Sequence, residues 1–218
     1  MDEKKALRKT KQNLLHWLQT ESLISNSLAL LVGVLTGFAI VFYDSVLEMS
    51  QNSFNGLLPE SPSILIIFLP ALGGLLVGII AHKLINTRRY DIEEVIEATA
   101  LRGGKMSPRN AFLEVLASVI SIGSGGSAGK EAPVVLAGSG IGSFMAQTLK
   151  IHGNRVKVLI GCGASGGIAA AYNAPLAGVV FAVEVILGEL EASSFIPIVI
   201  SAAHLRQWSQ AFCLGSKQ

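Results

Sequence analysis

Charge is scarce in this chain. Asp, Glu, Lys and Arg make up 15% of its 218 residues, hydrophobic residues make up 50%, and the mean hydropathy is +0.54. A soluble domain normally carries about 25% charged residues, so a water-facing globule is a poor description of this composition. Cysteine is rarer still. Cys162 and Cys213 lack paired spacing, which excludes a disulfide framework or a zinc site; both read as structural thiols. Low-complexity tracts, short fixed-period repeats and soluble-domain boundaries are also missing. The net charge is only +2, with the basic residues clustered beside apolar segments. Nucleic acid is therefore not an expected partner, and no cofactor or metal is expected.

What the chain does have is apolar length and 23 glycines. Runs over Leu23–Tyr43 and Ile64–Ala81 each approach the roughly 20 residues that a spanning helix needs. Shorter apolar runs follow at Ala111–Ile122, Val134–Leu149, Val156–Tyr172, Ala174–Leu187 and Phe195–Ala203, with Gly or Pro at their boundaries. Irregular backbone at membrane depth is tolerated only where protein buries it or where it lines a cavity, so such interrupted segments point to a transport pathway. The expected fold is all-α: a polytopic membrane protein with broken and tilted helices.

The basic residues set an orientation. Lys4, Lys5, Arg8, Lys9 and Lys11 precede the first span, none lies between Asp44 and Ser63, and six occupy residues 82–110. The positive-inside rule puts the N-terminus in the cytoplasm and the connection with Asp44, Glu48 and Glu60 outside. Residues 1–22 read as a basic amphipathic surface helix, with Leu7, Leu14, Leu15 and Leu18 as its stripe and Trp17 at the interface. No secretory signal peptide is evident. A short amphipathic helix is expected over Asp91–Leu101, before a Gly103-Gly104 turn. Residues 23–203 form the membrane domain. The tail 204–218 turns abruptly polar at His204-Leu205-Arg206, which suggests truncation or a frame change, or else a helix emerging into water.

Three glycine-rich segments call for separate readings. Gly161-Cys162-Gly163-Ala164-Ser165-Gly166 matches the dinucleotide fingerprint and has Glu184 eighteen residues beyond its last glycine. Its setting among membrane-length apolar segments favours close helix packing instead. Gly138-Ser139-Gly140-Ile141-Gly142 has the same explanation. The third runs from Gly123 to Gly129 and on through Lys130, Glu131 and Ala132 to Pro133. Proline suits a first helical turn, and a glycine-rich approach exposes unpaired N–H groups that make an anion site. Glu131 is a fixed carboxylate placed to compete for that site; the other local reading is a helix-capping acid paired with Lys130. Ionisable residues inside a membrane are functional by default.

Gly-Lys-Glu-Ala-Pro at 129–133, together with Asn173-Ala174-Pro175-Leu176-Ala177-Gly178 running on to Glu184, resembles the CLC family of chloride channels and proton-coupled anion antiporters. The resemblance covers most of the chain and implies the first half of an inverted-repeat fold. It implies that Glu131 is the gate, and that Gly129, Lys130, Ala132, Pro133 and Val134 surround the anion, with N–H donors expected from 132–134. Two departures stand out. The family's Gly-Ser-Gly-Ile-Pro-like motif is replaced by Arg89-Tyr90-Asp91-Ile92-Glu93, leaving Tyr90 as the candidate hydroxyl. The inner proton-relay glutamate falls on Val185, with Glu184 one position away as a possible substitute.

The implied function is passive, glutamate-gated transport of chloride or a similar small anion, channel-like rather than antiporter-like, and not enzymatic. The alternative is a truncated, non-conducting or assembly-only fragment. The implied setting is a multi-pass protein of the plasma membrane, with lipid around it and a homodimer if a full-length subunit forms.

Overall fold

The structure, a computed structural model, describes residues 2–56, 65–84, 91–188 and 194–203, with side chains for 23–53, 68–82, 91–188 and 194–203. The helices are α1 (Asp2–Gly56), α2 (Leu65–Leu84), α3 (Ile92–Leu101), α4 (Pro108–Gly123), α5 (Glu131–Thr148), α6 (Asn154–Tyr172), α7 (Pro175–Phe181) and α8 (Ser194–Ala203). No strand occurs among the described residues. The polar tail 204–218, Tyr90 and the side chains of 1–22 lie outside the description.

Local chemistry explains the helix ends. Asp91 caps α3, its carboxylate accepting from the Ile92 N–H at 2.7 Å, a cap worth about 1 kcal/mol. Pro108 stands in the first turn of α4 after Ser107, where its missing N–H costs nothing. Asn173 closes α6 in the left-handed conformation, which asparagine tolerates better than most residues. Beyond α7 the helix widens into a π-turn over Ala182–Leu187 and stops at Gly188, also left-handed.

Among the described residues one helical segment, Leu23–Ser53, is long and apolar enough to cross a bilayer, with a mean hydropathy of 2.0. Phe68–His82, Pro175–Leu187 and Ser194–Ala203 are apolar but shorter. Helices that stop partway are what the interrupted apolar runs predict. In the N-terminal segment α1 runs unbroken from Asp2 to Gly56, so the helix expected over residues 1–22 is continuous with the first long apolar one. Nothing between Thr20 and Ser25 is a Gly or Pro that would break it.

The core is the crossing of α5 on α6, with α1 laid across both and α2 packed on α4. Glycine makes this approach possible. A Cβ on Gly138 would collide with the Gly163 carbonyl, and one on Gly163 with the Gly138 carbonyl. The fingerprint-like 161–166 segment lies wholly buried inside α6; its small residues admit a neighbouring helix, not a nucleotide. Cys162 is a buried free thiol in the same stretch. Its carbonyl accepts from Ser201 Oγ at 2.7 Å, which ties α8 to α6.

The connection from α3 to α4 is pinned in the same way. Ser143 Oγ donates to the Gly104 carbonyl at 2.6 Å, the Met106 N–H donates to Ser143 Oγ at 3.1 Å, and Gln147 Nε2 donates to the Met106 carbonyl at 3.0 Å. Arg102, at the end of α3, pairs with buried Glu94 and with Glu97. The hydrogen bond to Glu97 raises the Arg102 pKa above its ordinary value, so the guanidinium stays charged at any working pH.

Candidate functional site

The glycine-rich turn between α4 and α5 decides the geometry. Gly125 takes a positive φ of 92°, and the Gly126 N–H returns to the Ser121 carbonyl at 2.9 Å. The chain then reaches α5 with Lys130 as its N-cap and Glu131 as its first helical residue. Pro133 sits within the first turn. Gly129, Lys130, Glu131, Ala132, Pro133 and Val134 are thus one contiguous helix entrance, with Pro133 and Val134 buried and Glu131 exposed.

The donor set is narrower than the sequence suggests. Pro133 carries no N–H, and the Val134 N–H already donates to the Lys130 carbonyl at 3.2 Å. Val134 is therefore corrected from an anion donor to a member of the helical ladder. The N–H groups of Glu131 and Ala132 precede that first intrahelical bond.

Glu131 turns back on its own helix start. One of its carboxylate oxygens occupies the space that a Cβ on Gly129 would need. Any side chain at 129 would displace it. The other oxygen, Oε1, accepts from Tyr172 Oη at 2.8 Å.

Lys130 does not pair with Glu131. Its Nζ lies 3.3 Å from Asp44 Oδ1 on α1 and 5.5 Å from the centre of the Tyr172 ring. Asp44 and Lys130 share a cleft of about 410 Å³ with Glu48 and Gln51. Sequence reasoning missed Tyr172 and Asp44 as members of this site. Tyr172 directly precedes the Asn-Ala-Pro motif, which was its only signal.

The relay candidates lie elsewhere. α7 leaves the site from Pro175, and Val185 follows ten residues later, about 15 Å along the helix. Val185 lines a second cleft, of about 340 Å³, with Thr99, Asn154, Lys157 and Ser194. Glu184 is exposed and is not part of that lining. No carboxylate lines this cleft among the described residues. No cluster of metal-ligating side chains occurs among them either.

Comparison with known proteins gives a single family. The voltage gated chloride channel family model matches residues 73–212. The voltage-gated ClC-type chloride channel ClcB of Escherichia coli O81 (strain ED1a) is 31% identical over 186 residues, covering 80% of this chain and 44% of that protein. ClcB of Yersinia pseudotuberculosis (serotype O:1b) is 34% identical over 136 residues, covering 61% of this chain and 33% of its own length. The crystal structure of a CLC-type fluoride/proton antiporter shares the fold with a TM-score of 0.74 at 23% identity, over 87% of this chain and 47% of that one. The chain therefore spans less than half the length of these relatives. With the family model covering more than half of its residues, the chain belongs to the voltage gated chloride channel family.

Proposed function

We propose that this chain supplies one half of a passive, glutamate-gated pathway for chloride or a similar small anion. The observation that carries the reading is the Glu131 carboxylate folded over Gly129 at the start of α5. A helix N-terminus attracts an anion through its unpaired N–H groups and dipole without the full positive charge that would trap it. Ionised Glu131 fills that place itself. Protonation removes its charge, and with it the competition, so flux rises as pH falls.

Val185 at the relay position favours uncoupled, channel-like movement, because a valine cannot carry a proton between the inner cleft and Glu131. Tyr90 is kept as the hydroxyl of the opposite wall, and Glu184 as the nearest alternative acid. The N-terminus is assigned to the cytoplasmic face of the plasma membrane, with a homodimer where a full-length subunit forms. The second reading is a truncated, non-conducting or assembly-only fragment.

Chloride efflux from liposomes separates the two. Flux from the chain alone, or flux restored by co-expressing a second half, supports the pathway. No flux in either preparation sinks it in favour of the fragment. Proton uptake in stoichiometric ratio to the anion would overturn the channel-like assignment.

A further inference from the structure

Tyr172 ends α6 immediately before the left-handed Asn173, and this turn leaves its phenol beside the start of α5. Its hydroxyl gives the Glu131 carboxylate a donor that belongs to neither α5 nor the glycine turn. The ring is held from the other side by Lys130, 5.5 Å from its centre, and Lys130 is held by Asp44 on α1. A phenylalanine would keep the ring and lose the donor.

Resting on the gate reading of Glu131, we propose that Tyr172 is a latch: a positioning residue whose hydroxyl holds the ionised Glu131 carboxylate over the anion site and sets the pH at which it lets go. The groups facing Glu131 are Lys130 at its own helix start, Asp44 and Tyr43 from α1, and Tyr172 from α6. Tyr43 Oη shares a 3.3 Å hydrogen bond with Ser118 Oγ. Asp44 is engaged by Lys130. Among these groups Tyr172 is the one that donates to the carboxylate. A hydrogen-bond donor stabilises the charged carboxylate over the neutral acid.

The test reads Glu131 directly. Infrared titration of the protein in lipid, wild type minus Glu131→Gln, isolates the carbonyl stretch of the protonated Glu131 side chain. Tyr172→Phe should move its midpoint upward by about half a unit to one unit, a threefold to tenfold change in the protonation equilibrium. Tyr172→Leu, which also loses the ring, should move it by the same amount. An unchanged midpoint in Tyr172→Phe overturns the latch, as does a shift seen only in Tyr172→Leu, which would assign the effect to the ring.

Flux distinguishes this from the gate reading itself. With the second half co-expressed, Tyr172→Phe should open the pathway at higher pH than wild type. If Tyr172→Phe leaves both midpoint and flux unchanged while Glu131→Gln raises flux, the latch is wrong and the gate stands. If Glu131→Gln leaves flux unchanged, the gate reading falls and takes the latch with it.

Discussion

The two ends of the α6–α7 region are built from opposite materials. At one end Asp44, Lys130, Tyr172 and Glu131 form a continuous chain of charge and hydrogen bonds around one helix entrance. At the far end Val185 lies in a cleft whose polar lining is Thr99, Asn154, Lys157 and Ser194, without a carboxylate among the described residues. In the proposed reading the acid that competes with an anion stands at the first end, while no carboxylate lines the cleft at the second among the described residues. In this account, gating and coupling are therefore separable properties. Each can be altered without touching the residues of the other.

The largest effect is expected from destroying the scaffold that both ends share. Gly163→Val places a branched side chain against the Gly138 carbonyl. Overpacking of this kind costs about 1–3 kcal/mol or more, enough to lower the yield of monodisperse detergent-purified protein sharply. Normal yield and thermal stability would show that the α5–α6 crossing is looser than described.

Next comes the Glu131 end itself. Glu131→Gln removes the charge that fills the helix entrance, and anion affinity measured by titration calorimetry should rise about tenfold, the equivalent of about 1.4 kcal/mol. Unchanged affinity would mean that the carboxylate and the anion do not share a place. At the inner end, Val185→Glu should introduce anion-dependent proton movement where wild type has little, measured as vesicle acidification. If Val185→Glu stays uncoupled, the relay position is misassigned. The smallest effect belongs to Asp44→Asn, which releases a partly exposed pair worth about 0–1 kcal/mol and should change flux by no more than about threefold.

The sequence made visible whatever depends on local order. The short helix expected over Asp91–Leu101, the Gly103-Gly104 turn after it and the apolar runs from Ala111 to Ala203 all correspond to observed helices and turns, because each signal acts within a few residues. The contiguous entrance 129–134 was legible for the same reason. The company of Glu131 was not. Asp44 lies 86 residues from Lys130, and Tyr172 lies 41 residues from Glu131, so only folding brings them together. Whether the helix over residues 2–22 joins the next one is not a local signal, because a basic amphipathic stripe and a membrane span carry the same helical period. The place of the Val134 N–H is of another kind: it is engaged because Lys130 caps the helix and its carbonyl accepts the first ladder bond.

The central claim is that the charge on Glu131 closes an anion site at the start of α5. Chloride flux as a function of external pH, compared between wild type and Glu131→Gln in vesicles that also carry the second half, tests it most directly. The account predicts wild-type flux that climbs as pH falls and Glu131→Gln flux that is high and flat across the same range. A Glu131→Gln profile that follows the wild-type curve would contradict it.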